Sequence, residues 1–143
     1  MLEHAFFIEQ SKRMEIIVRL SNELEKSSSL ISDFESFKNS VFTTNSWKQT
    51  VDSRLIELLI KERGYNFTKL RDLLRAMRNV YAHYEMIPVA LREEVFCTEG
   101  GVAEKVFGYF SQKFPKLFLI VHPFVRRNWN EKSVFQGLIK FAV

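Results

Sequence analysis

Breakers and thiols are scarce in this sequence. Its 143 residues include five glycines and three prolines, so few positions interrupt a long element. The single cysteine, Cys97, cannot close an internal disulfide, nor can it supply the several thiolates of a cysteine-based zinc site. The longest purely apolar run, residues 117–121, is far short of a membrane span. Glu3, His4 and Glu9 interrupt the stretch where a secretory signal would be apolar. These absences lead to the expectation of a soluble, reduced protein. Phosphate-binding glycine loops of the G-x-x-x-x-G-K-S/T or G-x-G-x-x-G type are missing, as are G-x-S-x-G and H-E-x-x-H.

Phenylalanine is abundant, at 14 residues, within a composition that is 46% hydrophobic and 27% charged. That is the make-up of one globular domain rather than of a disordered tail. The net charge is +4, and it is local. Residues 61–84 hold Lys61, Arg63, Lys69, Arg71, Arg75 and Arg78 against only Glu62 and Asp72, which accounts for the whole excess. A phosphate-bearing partner suits that window.

Helical spacing dominates the chain. An amphipathic helix is predicted over 8–26 from Ile8, Ile16, Ile17, Leu20 and Leu24, stopping in Ser27-Ser28-Ser29. Residues 30–47 read as a short helix or turn and then a loop. A helix over 51–62 carries Leu55, Ile56, Leu58 and Leu59 inward, with Gly64 as its C′ residue. Thr68 reads as the N-cap of the clearest helix, over 69–85. Its stripe is Leu70, Leu73, Leu74, Met77 and Tyr81, and Arg71, Arg75 and Arg78 lie on the other side within about 60° of one another. Further helices are predicted over 88–96 and 102–114. A last one, opened by Pro115 at N1, runs to Val121 and is interrupted by Pro123. With no second strand to pair residues 117–121, the fold class is all-α: a compact single-domain bundle of about six to eight helices.

The chemistry concentrates in Arg75-Ala76-Met77-Arg78-Asn79-Val80-Tyr81-Ala82-His83-Tyr84. Asn79 and His83 are four apart and therefore neighbours on one helix face, with Arg78 on the adjacent side. An arginine, a neutral polar group and an imidazole near one helix end suit metal-free cleavage of RNA. In that reaction the ribose 2′-OH attacks its own phosphate. A base must take the 2′-OH proton, an acid must protonate the leaving 5′-oxygen, and a cation must steady the phosphorane. The 2′-OH requirement distinguishes RNA from DNA. Plainer readings exist for each residue: a histidine at a helix end caps it or meets its dipole, an arginine stripe is a solvated face, and a tyrosine after glycine anchors a loop.

The run Leu70-Arg71-Asp72-Leu73-Leu74-Arg75-Ala76-Met77-Arg78-Asn79 with His83-Tyr84 and Pro88 closely resembles the kinase-extension nuclease domain. That family occurs in the kinase–endoribonuclease sensor of the unfolded-protein response and in the oligoadenylate-dependent ribonuclease. His4-Ala5-Phe6-Phe7 is similar to the His-Pro-Phe-Phe junction that follows the kinase there, with Ala5 for proline. Trp47 and the Phe107-Gly108-Tyr109-Phe110 and Phe114-Pro115-Lys116-Leu117 runs also match, so the likeness covers nearly all of residues 1–143. The Arg-Asn-x-x-x-His core is shared with the wider HEPN group of helical ribonucleases.

The resemblance implies a catalytic set of His83, Tyr65, Arg78 and Asn79, with Arg71, Arg75 and Lys69 on the RNA. It implies no cofactor and no metal. Tyr65 stands where the sensor branch has its catalytic tyrosine, and His83 and Tyr65 share the acid and base roles in either order. The implied partners are single-stranded or stem-loop RNA, a second copy of the domain and an adjacent kinase-like domain. No direct membrane insertion is implied. The location is cytoplasmic, on the cytosolic side of the endoplasmic reticulum where the parent is membrane-anchored. One departure bears on activity: Val80, Tyr81 and Ala82 replace two basic residues and a histidine of the sensor branch. A catalytically weak or silent dimerisation or RNA-binding module is therefore the alternative. A helical protein-interaction domain whose arginine stripe meets an acidic partner is the third reading.

Overall fold

The structure is a computed structural model that describes residues 10–62 and 64–129. Ile8, Glu9, Arg63 and the His4-Ala5-Phe6-Phe7 junction lie outside the described residues. Within them the chain is all-α, as expected. Its eight α-helices are α1 (Gln10–Leu24), α2 (Ser28–Glu35), α3 (Lys38–Val41), α4 (Ser53–Glu62), α5 (Leu70–Ala82), α6 (Val89–Val95), α7 (Val102–Lys113) and α8 (Leu117–Trp129). A 3-10 turn, Tyr84–Met86, follows α5.

The apolar stripes of α1, α5 and α7 face one another and form the centre of the bundle, with α2 against α5 and α8 against α1. Met14, Ile16, Ile17 and Leu20 of α1 meet Leu70, Leu73, Leu74 and Met77 of α5 in a core from which water is excluded. Phenylalanines fill the remaining space edge to face: Phe34 on Phe124 with centroids 5.1 Å apart, Phe107 on Phe118 at 5.7 Å and Phe96 on Tyr109 at 5.2 Å. Each such pair adds about 0.5–1.5 kcal/mol beyond the burial of its rings. Among the described residues the phenylalanines therefore lie in the core or pack against it.

Several helix ends differ from the expectation. Ser27 does not simply turn the chain; its hydroxyl accepts the Leu30 N–H at 3.3 Å and starts α2. The expected C′ role of Gly64 rests on Arg63, which lies outside the described residues; Gly100 (φ 117°) has the left-handed conformation. Pro115 precedes α8 rather than opening it, and Pro123 sits inside α8 without ending it. The carbonyl that loses its partner to that proline belongs to Leu119, an exposed residue, where water can serve. Phe124, Val125 and Trp129 hold the helix onto the core beyond the proline.

Helix α5 is rotated relative to its predicted stripe. The buried arc takes in Asp72, Ala76 and Val80, and Tyr81 is left on its margin, 38% exposed. Thr68 does not cap this helix; its hydroxyl donates to Asn66 Oδ1 at 2.6 Å. The cap comes from elsewhere in the fold. The Glu35 carboxylate, at the end of α2, accepts the Leu70 N–H at 2.9 Å and the Arg71 N–H at 2.8 Å. A carboxylate at this position satisfies two of the free donors and faces the positive end of the helix dipole.

Candidate active site

The C-terminal half of α5 and the loop before it, residues 64–69, form one wall of a cleft lined by Glu62, Tyr65, Arg75, Asn79 and His83. Asn79 points into it from α5. His83 stands at the helix end, where its N–H closes the last turn on the Asn79 carbonyl at 2.9 Å and its imidazole is exposed.

Tyr65 is the most constrained member. Its hydroxyl accepts a hydrogen bond from Asn79 Nδ2 at 2.6 Å. The Arg75 guanidinium lies 4.3 Å from its ring centroid, and Trp47 meets the ring edge-on at 6.4 Å. The loop beneath is tied down on both sides. The Trp47 N–H donates to the Phe67 carbonyl at 2.9 Å, and the buried indole N–H donates to the Lys69 carbonyl at 3.1 Å. Asp72 accepts the Asn66 N–H at 2.6 Å. Burial pushes the Tyr65 phenol above its ordinary pKa, with Glu62 adding to that, while the Asn79 hydrogen bond and the Arg75 and Arg78 charges pull it back. The phenol is therefore protonated at neutral pH. Because its oxygen already accepts from Asn79, its own proton is free for the cleft.

The predicted arginines separate. Arg75 lines the cleft, but Arg78 does not. The two Nη atoms of Arg78 reach α1 and beyond it, one to Asn22 Oδ1 at 2.8 Å and one to Glu25 Oε2 at 3.0 Å. The helical wheel explains the split. Around α5, Arg75 stands about 40° from Asn79 and Arg78 about 100° from it. Arg71 lies 3.8 Å from Asp72 and is partly exposed, and Lys69 is exposed at the start of α5; neither lines the cleft.

Three contributors were not singled out in the sequence. Asp72 is buried, although it is charged, and lies about 20° from Asn79 around the helix, so its angle was a usable signal. Glu62 enters from the end of α4, and Glu35 from α2, with no local pattern to mark either. Of the other two histidines, only His122 is among the described residues, and it does not line the cleft. His4 lies outside the described residues, and His122 is on α8 beside Phe107 and Phe118, where burial and then the Arg126 and Arg13 charges lower its pKa. Among the described residues no three His, Cys, Asp or Glu side chains are grouped as metal ligands.

Residues 3–139 match the family described as Ribonuclease 2-5A. The serine/threonine-protein kinase/endoribonuclease IRE2 of Homo sapiens is 34% identical over 128 residues, which is 87% of this chain and 13% of that protein. The sensor for unfolded proteins in the ER, ire1, of Schizosaccharomyces pombe is 28% identical over 145 residues, 98% of this chain and 13% of that protein. The serine/threonine-protein kinase/endoribonuclease IRE1b of Arabidopsis thaliana is 30% identical over 148 residues, 99% of this chain and 16% of that protein. The chain thus spans a small part of the length of these relatives. The expected likeness to the kinase-extension nuclease domain is met across nearly the whole sequence, and the chain belongs to the Ribonuclease 2-5A family.

Proposed function

We propose that residues 1–143 form a metal-independent endoribonuclease domain. It cuts RNA by 2′-OH attack to leave 2′,3′-cyclic phosphate and 5′-OH ends. The observation that carries this reading is the convergence of Tyr65, Asn79, His83 and a guanidinium on one cleft. The exposed imidazole of His83 takes the 2′-OH proton, the 2′-oxygen bonds to phosphorus, and the bond to the 5′-oxygen breaks. The Tyr65 phenol, which holds its proton at neutral pH, returns a proton to that oxygen. Asn79 fixes the phenol, and arginine steadies the charge that grows on the non-bridging oxygens.

The relatives are named as kinase/endoribonucleases or as a sensor for unfolded proteins in the ER. By analogy, this domain follows a kinase-like domain, with residues 1–7 as the junction, and is active as a homodimer on single-stranded or stem-loop RNA. By the same analogy it lies on the cytosolic side of a membrane-anchored parent or free in the cytoplasm. No helix among the described residues is long and apolar enough to cross a membrane.

One observation favours the alternative of a weak or silent module: Arg78, half of the Arg-Asn pair, is held by Asn22 and Glu25. The two readings part on one experiment. The full-length protein, forced to dimerise, is incubated with a stem-loop RNA in EDTA. Fragments ending in cyclic phosphate are expected, and His83→Ala should lower the rate at least about a hundredfold with unchanged helicity by circular dichroism. Binding without cutting would select the silent module, and full activity in His83→Ala would remove the assignment.

A further inference from the structure

Arg78 is bound by a helix other than its own. One Nη donates to Asn22 Oδ1 at 2.8 Å and the other to Glu25 Oε2 at 3.0 Å. Asn22 lies in the last turn of α1, and Glu25 follows the end of that helix. The core sets their places, because Leu20, Ser21 and Leu24 on the same stretch are buried and α1 packs along α5. Two bonds to one rigid, planar fork fix both the position and the plane of the guanidinium.

The hold does not exhaust the group. A guanidinium offers five N–H donors. Each Nη of Arg78 keeps a second N–H, and these and the Nε–H meet no protein acceptor among the described residues. The Arg78 charge already acts at the site. Burial raises the pKa of the Tyr65 phenol, and Arg78 is among the groups that draw it back. Arg78 thus stands on the α1 side of the cleft, one residue from the Asn79 that bonds the phenol.

Glu25 is about half exposed and Asn22 is exposed, and bonds placed so near water add little to stability. What they supply is order in a long side chain that is otherwise free to turn.

We propose that Asn22 and Glu25 are positioning residues for Arg78, the arginine that meets the scissile phosphate, and that their two hydrogen bonds set its guanidinium at the margin of the cleft. This rests on the ribonuclease reading above. It gives two side chains at the end of α1 a part in a reaction carried out on α5.

The test uses the full-length dimerised protein and single-turnover cleavage of a stem-loop RNA. Asn22→Ala combined with Glu25→Ala should slow the cleavage step about tenfold or more, with KM changed less than about twofold. The urea midpoint should hardly move. Glu25→Gln keeps an acceptor for Arg78 and should stay within about threefold of the unaltered rate. In an Arg78→Ala background, the two alanine changes should have no further effect. Normal or faster cleavage by the double variant, or a further loss in the Arg78→Ala background, overturns the proposal. So does a Glu25→Gln rate as low as that of the double variant, because the hydrogen bond is then not what counts. A second readout is independent of catalysis. The 15N–1H resonances of the Arg78 side chain, assigned with Arg78→Lys, should be those of an immobilised guanidinium in the unaltered protein and of a freely turning one in the double variant. Equal order in both overturns the positioning role whether or not RNA is cut. If the unaltered protein cuts nothing while the resonances change as expected, the ribonuclease reading and the phosphate contact fail, and the hold of α1 on Arg78 stands.

Discussion

Tyr65 and His83 share a cleft but differ in what surrounds them. The phenol is half-buried, with a tryptophan edge on one side and a guanidinium on its face, whereas the imidazole is exposed at a helix end. Burial raises the phenol pKa above its ordinary value, so the protonated form persists to higher pH than for a free tyrosine, about 10. An acid must be protonated to act and a base must be neutral. With Tyr65 as acid, the phenol keeps its proton through the neutral and mildly alkaline range, because Tyr65 ionises only further up the scale. The expected single-turnover rate therefore shows no descending limb up to about pH 9. A rate that instead rises only as the phenol ionises, with that rise abolished by Tyr65→Phe, would make Tyr65 the base and reverse the two roles. Asn79 has a part in this order of events: by donating to the phenolic oxygen it aims the phenolic proton away from itself and leaves the donor side for the 5′-oxygen.

Helix α5 carries the site, and its beginning is set by a residue 35 positions upstream of it. The Glu35 carboxylate accepts the first two N–H groups of α5, so α2 fixes the helix that bears Arg75, Asn79 and His83. Replacing Glu35 by Ala leaves both donors without protein partners and removes a negative charge from the positive end of the dipole. A loss of about 1–2 kcal/mol of unfolding free energy follows, measurable by urea denaturation; a change below about 0.3 kcal/mol would show that water replaces the cap at no cost. Thr68 was the sequence-based choice for this cap because serine and threonine before an apolar run serve that role locally. The fold instead used an acid from another helix, which no local pattern reveals. The same holds for Trp47, whose indole reaches the Lys69 carbonyl across 22 residues. Continuous helices were legible from their apolar spacing, and Asn79 with His83 from a separation of four. Arg78 shows the limit of reading adjacency along the chain. It precedes Asn79 directly, yet a step of about 100° around the helix turns it toward α1 and Glu25. Pro123 shows the limit of reading a breaker: the packing of Phe124, Val125 and Trp129 outweighs one missing hydrogen bond.

At the scale of the molecule, the excess positive charge falls in residues 61–84, but the structure has already spent part of it. Arg71 and Arg75 lie beside Asp72, and Arg78 is paired with Glu25. Lys61 and Lys69 are exposed and keep their charge for a polyanion. RNA bound across this face therefore releases few counterions, even though the sequence window is strongly basic. With about 0.7 of a counterion per phosphate contact on a single strand and about two or three contacts, the slope of log binding constant against log salt should lie near −2. Fluorescence anisotropy checks this with a stem-loop whose scissile nucleotide carries a 2′-deoxy sugar, so that binding is seen without cleavage, over about 50 to 200 mM salt. A slope steeper than about −4 would require the paired arginines to exchange Asp72 and Glu25 for phosphate on binding, and affinity would then come from charge alone. A slope near −2 instead leaves recognition to the shape of the cleft lined by Tyr65, Arg75, Asn79 and His83, and selection of the RNA falls to the fold of the loop presented there.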